Sequence, residues 1–123
     1  MDARRLLTEL YRADGHADEA GRWGYLLRDG ATTEERAAYE RACAYRLTPN
    51  WTATYLRNGL HWNASVESAD DYAAGILRQL DTRAAAEAED HRRAIDAMIW
   101  NRIARALARL RRWVGARTGR PTP

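Results

Sequence analysis

An all-α fold is predicted by three features of the sequence: a small helical domain of about four short helices, then a long basic C-terminal helix. From Ala69 to Val114 there is no proline and a single glycine, Gly75. Apolar residues recur at spacings of three and four, the period of one helix face. No segment alternates polar and apolar residues around β-branched ones, and valine occurs only at Val66 and Val114, so strands are not expected.

The first helix is expected from about Asp2 to Arg12, with Leu6, Leu7, Leu10 and Tyr11 on its inner side and Asp2 at the positive end of its dipole. Asp14-Gly15 ends it. The second fits Ala17 to Arg28, with Ala20, Trp23, Gly24 and Leu27 inward and Asp29-Gly30 as the stop. Gly21 and Gly24 each cost roughly 1 kcal/mol against alanine in a helix. Their small size suits a close helix approach, or else the helix is short. The third has the clearest start: Thr32-Thr33-Glu34-Glu35 is a capping box, in which Thr32 and Glu35 satisfy each other's backbone. Ala38, Ala42, Tyr45 and Tyr39 are its expected inner residues, and Pro49 limits its end. Thr48 caps a fourth helix with Pro49 in its first position, carrying Trp51, Tyr55 and Leu56 and stopping at Asn58-Gly59, where Leu60 closes the end. His61 to Glu67 reads as a loop.

Ser68, with Asp70 and Asp71, opens the last helix. Its apolar stripe runs through Ala73, Leu77, Leu80, Ala84, Ala88, His91, Ile95, Ile99, Ala106, Leu110 and Trp113 to a stop at Gly115. Unbroken, it would be a rod of about 70 Å at ~1.5 Å per residue, far longer than a domain with a radius of gyration of ~14 Å can cover. Either the helix breaks near Asp81-Thr82, or part of its stripe pairs with another chain. A single domain over residues 1–115 and a disordered basic tail over 116–123 complete the expected organisation.

Charge divides the chain. Met1 to Asp90 carries 11 arginines against 16 acids; His91 to Pro123 carries nine arginines against the lone acid Asp96. The body is therefore acidic and the end strongly basic, the pattern of a basic arm on an ordinary domain. Every cation is arginine, which genomic composition explains as readily as a demand for bidentate phosphate contacts. Phenylalanine is absent, so every aromatic ring among the five tryptophans and six tyrosines has a polar tip suited to half-wet positions. Leu, Ile and Val total only 18 residues, a thin core of the kind small domains often complete by association.

Catalytic patterns are missing. Cys43 is the single cysteine, so no internal disulfide forms; it reads as a small packed residue without the electropositive surroundings that would activate it. His16, His61 and His91 lie far apart without metal-ligand spacing, so neither a metal nor another cofactor is expected. His91 falls on the apolar stripe, where it fits a hydrogen-bonded or register-setting residue. Glu89 with Arg93, and Arg92 with Asp96, are helix-surface pairs at spacing four. The segment from Ala37 to Leu60 is compatible with a helix-turn-helix whose second helix would present Asn50, Thr54 and Arg57. Its turn lacks the usual glycine, and a plain helical hairpin fits better. No apolar run is long enough to span a membrane and no leader-like segment opens the chain, so a cytoplasmic protein is expected.

The functional expectation rests on the basic end. Arg102, Arg105, Arg109, Arg111, Arg112, Arg117 and Arg120 form the candidate site for nucleic acid or an acidic protein surface. Ile99, Ile103, Leu107, Leu110 and Trp113 form the candidate interface. The leading expectation is a non-enzymatic, nucleic-acid-associated accessory protein that contacts the phosphate backbone. The alternative is a structural or assembly subunit, of phage or mobile-element origin, docking its last helix on protein partners. A homo-oligomer or a place in a larger complex accompanies either. A solvated basic helix without a specific partner, and one lying on a membrane surface, are the remaining readings of the same residues.

Overall fold

The computed structural model describes residues 2–44 and 51–117, and the described residues are all-α, without strands. The elements are α1 (Asp2–Ala13), α2 (Ala17–Gly24), α3 (Thr33–Ala44), α4 (Thr52–Gly59), a short 3₁₀ turn (Val66–Ser68) and α5 (Asp71–Arg117). The chain divides into two units, residues 1–88 and residues 89–123.

In the first unit α1 packs on α2, α2 on α3 and α3 on α4. The core gathers Leu26, Tyr39, Leu56 and Leu60 with Ala73, Leu77 and Leu80 of α5, so the start of the long helix closes the bundle. α2 and α3 approach closely because position 21 is glycine: a Cβ there would overlap the carbonyl of Glu35. The cap of α3 forms as its residues require. Glu35 N–H donates to Thr32 Oγ1 at 3.1 Å, and Thr32 N–H donates to Glu35 Oε1 at 2.8 Å. The Glu35 carboxylate also receives Arg12 of α1, from Nε at 2.9 Å and Nη2 at 2.7 Å. One buried acid thus ties two helices and a cap together. The Arg12 guanidinium, then the backbone and hydroxyl of Thr32, hold the Glu35 carboxyl below the ordinary glutamate range against the opposing effect of burial.

Leu6 and Leu10 of α1 are 58% and 56% exposed; the buried residue is Thr8, whose hydroxyl donates to the Arg4 carbonyl at 2.7 Å, with Leu7 and Tyr11 half-buried beside it. α2 stops at Gly24, before the expected Arg28, because Gly24 lies tightly against Gly30 and Ala31 as the chain turns. The left-handed residue of that turn is Asp29 (φ 58°). At the end of α4 the left-handed residue is His61 (φ 51°), while Gly59 is needed for space against the Tyr39 hydroxyl. Ala42 is exposed. Tyr45, Thr48, Pro49 and Asn50 lie outside the described residues.

α5 is capped by Asp70, whose Oδ1 accepts from Ala73 N–H at 2.8 Å; Ser68 instead closes the 3₁₀ turn by donating to the Ser65 carbonyl at 2.6 Å. The helix does not break at Asp81-Thr82. It continues through Gly115 to Arg117, two residues beyond the expected stop. Ala73, Ala74, Leu77 and Leu80 are its buried residues.

Candidate functional site

The second unit is described to Arg117 and is helical throughout. Projected down the axis at about 100° per residue, Ile95, Ile99, Trp100, Ile103, Leu107, Leu110, Trp113 and Val114 share an arc of roughly 140°. All eight are exposed, and the five expected interface residues range from 41% (Ile103) to 54% (Leu110 and Trp113). Arg102, Arg105, Arg109 and Arg112 occupy a second arc of about 80° that begins about 20° from one edge of the stripe, while Arg111 borders the stripe on its other edge. All five are exposed. None forms an ion pair among the described residues, since no acid follows Asp96. The helix therefore brings these arginines together as one uncompensated ridge.

Arg117 differs: its guanidinium lies over the Trp113 ring, 4.6 Å from the centroid, and covers part of the stripe's end. Arg120 lies outside the described residues. At the start of the unit Glu89 receives Arg92 at 2.6 Å and Arg93 at 3.3 Å. The bond from Arg92 is the main cause holding the Glu89 carboxyl below its ordinary range. Glu89 thus neutralises this turn, and the uncompensated positive charge begins beyond it. His91, on the expected stripe, is exposed.

Two of the three side chains that a helix-turn-helix would turn to base edges are engaged elsewhere, and the third, Asn50, lies outside the described residues. Thr54 Oγ1 donates to Glu87 at 3.2 Å, and the same carboxylate accepts from Ala53 N–H at 2.8 Å and Thr54 N–H at 3.2 Å, capping α4 from α5. Arg57 is paired with Asp81 at 2.9 Å and donates to the Trp62 carbonyl at 3.2 Å. Side chains committed in this way are not available to base edges.

A cluster at the C-terminal end of α4 escaped sequence reasoning. Arg4 donates to the carbonyls of Leu60 and His61, at 2.5 Å and 3.2 Å, and Arg22 to that of Gly59 at 2.5 Å. Two arginines thus satisfy the negative end of a helix. Both stack on Trp23, and Arg4 also on Trp62; Arg22 contacts the ring nitrogen of His61, whose imidazole stacks on Trp23. Burial, then the charge of Arg22, lowers the Arg4 pKa from its usual value. These contacts link residues tens of positions apart, and no local sequence signal marks them.

A cleft of about 310 Å³ opens among α2, α3 and α4, lined by Asp18, Glu19, Arg22, Tyr39, Cys43, Tyr55 and neighbouring atoms. Cys43 is half-buried and packs against the core. Burial, then the adjoining Cys43, pushes the Tyr39 phenol up. No histidine is among the described residues that line this cleft. Among the described residues no group of three or more histidine, cysteine, aspartate or glutamate side chains could hold a metal ion. No helix among them is long and apolar enough to cross a membrane.

Neither a curated protein nor a solved structure matches the chain. A protein family does, over residues 1–114, a span that includes the apolar stripe and the arginine ridge but not Arg117 or Arg120. The chain belongs to this family, described as a family of unknown function (DUF6584).

Proposed function

We propose that the protein acts by binding rather than by catalysis, and that the arginine ridge of α5 contacts the phosphate backbone of nucleic acid. The observation that carries this reading is that Arg102, Arg105, Arg109 and Arg112 share one exposed helix face without an acid to neutralise them. Such a ridge follows a line of phosphates and supplies charge without fixing a base-reading geometry. The loss of Thr54 and Arg57 as readers supports a ligand recognised by charge.

The apolar stripe beside the ridge on the same helix supports a second role, docking on protein, as an assembly subunit would. Polyanion binding leaves that stripe uncovered, so the two roles are compatible on one helix. The test uses fluorescence anisotropy with a labelled duplex. Arg105, Arg109 and Arg112 changed together to alanine weaken binding to all sequences alike and lower the slope of log affinity against log salt by roughly 2–3. Unchanged binding by this variant leaves the docking role as the function of the helix.

A further inference from the structure

We infer that the apolar stripe of α5 is covered by a second copy of this chain, paired with it in parallel through Ile99, Ile103, Ala106, Leu110 and Trp113. The inference deepens the proposed function, on which it partly rests, by naming the protein that the stripe docks on. Three observations carry it.

The first is spacing. These five residues are separated by four, three, four and three positions, the alternation that keeps one seam facing a partner helix. Ala106 is the small layer between Ile103 and Leu110. The seam also has a defined beginning. One and two steps back along the same register stand Asp96 and Arg92, and Arg92 is already engaged by Glu89.

The second is area. The exposed apolar side chains of the stripe present on the order of 900 Å². That exceeds the few hundred Å² usual for a monomer's largest patch, and it matches the roughly 800 Å² that each partner contributes to a stable interface. The isolated first unit already has its own core, so the stripe is not needed to complete it.

The third is charge, and it sets the orientation. Arg102 and Arg109 flank the seam on one edge, whereas Trp100, Leu107 and Val114 flank it on the other. An antiparallel pair would bring the arginine edges of the two copies together. A parallel pair lays each arginine stem over an apolar neighbour of the other copy, Arg102 near Leu107 and Arg109 near Val114, with the guanidinium reaching water. Arg105 and Arg112 stay outside the pair, and with the guanidinium ends of Arg102 and Arg109 in water the whole ridge stays open to a polyanion.

Light scattering on the full-length protein at about 100 μM, without nucleic acid, tests the pairing at a concentration suited to a short seam. A dimer mass is expected, persisting or strengthening as salt rises, because salt screens the arginines of the two copies from each other. Nucleic-acid affinity falls over the same range, so failure of the pairing and failure of the ridge are read separately. Ile103→Asp is expected to weaken pairing by ~100-fold or more by burying an unpaired charge, and Ile103→Leu to retain it; circular dichroism of both confirms that the helices persist. Orientation is read in a Cys43→Ala background, where Ile99→Cys is expected to form a disulfide with itself under mild oxidation and Arg105→Cys is not. A monomer at every salt concentration, including one that instead binds vesicles of anionic lipid, overturns the pairing. Ile99→Cys linking to Trp113→Cys but not to itself overturns the parallel arrangement.

Discussion

Glu87 caps a helix to which it does not belong: its carboxylate accepts from Thr54 through both the backbone N–H and the hydroxyl, each at 3.2 Å, and from Ala53 N–H at 2.8 Å. The residue before α4, Trp51, makes no side-chain cap of its own. The opposite end of α4 is held by Arg4 and Arg22. Both termini of an eight-residue helix therefore depend on distant side chains.

Replacing Glu87 with alanine leaves the first-turn amides of α4 without their acceptor. The expected cost is about 1–2 kcal/mol, the range of a lost N-cap. Urea denaturation measures it; Glu87→Gln, which keeps an acceptor oxygen, loses less. Equal stability of all three proteins would show that water replaces the carboxylate at no cost.

The Arg12–Glu35 contact makes stability depend on acidity. The folded carboxyl titrates below its unfolded value, with the Arg12 hydrogen bond as the leading cause. Its contribution is therefore complete above the ordinary glutamate range and is lost as pH falls through the depressed folded value. Glu35→Gln is expected to be about 1–2 kcal/mol less stable at neutral pH, the worth of hydrogen bonds to a charged group, reduced by the exposure of Arg12. The two proteins converge in acid. A constant gap from pH 7 to pH 2 would contradict this assignment.

Two glycines in helices are expected to respond oppositely to alanine. At Gly21 the new methyl meets the backbone of Glu35, and at Gly75 it meets nothing within 4 Å. Gly75→Ala gains about 0.5–1 kcal/mol from helix propensity. Gly21→Ala loses about 1–3 kcal/mol because α2 and α3 must move apart. Thermal melts decide the signs, and a stabilised Gly21→Ala would refute the close approach.

Cys43 packs beside Tyr39 and is half-buried, so native alkylation is expected to be at least ~10-fold slower than in denaturant. Equal rates in both conditions would place the thiol in open solvent.

The legible parts of the fold are those written in neighbouring residues. The Thr32–Glu35 cap, the Asp14-Gly15 turn and the helical period of α5 can each be read locally, and each forms. In α1 the leucine spacing misleads in part, because only Leu7 and Tyr11 of the apolar residues turn inward. Arg4 and Arg12 instead turn toward carbonyls and a carboxylate on later elements, leaving Leu6 and Leu10 in solvent. Glu87 looks like one more surface acid on α5 until α4 is placed beside it. The arginines of the candidate site are visible as composition, but their division into a ridge and an adjoining apolar stripe requires an unbroken helix.

Charge-driven binding of nucleic acid by the arginine ridge is tested most directly by wild-type affinity for a duplex of about 25 base pairs across roughly 50–300 mM salt. Each phosphate neutralised contributes about 0.9 to the slope of log affinity against log salt. Engagement of Arg102, Arg105, Arg109 and Arg112 predicts a slope near −3.5, of similar size for unrelated duplex sequences. No binding at 50 mM salt, or affinity that does not fall with salt, would contradict the claim.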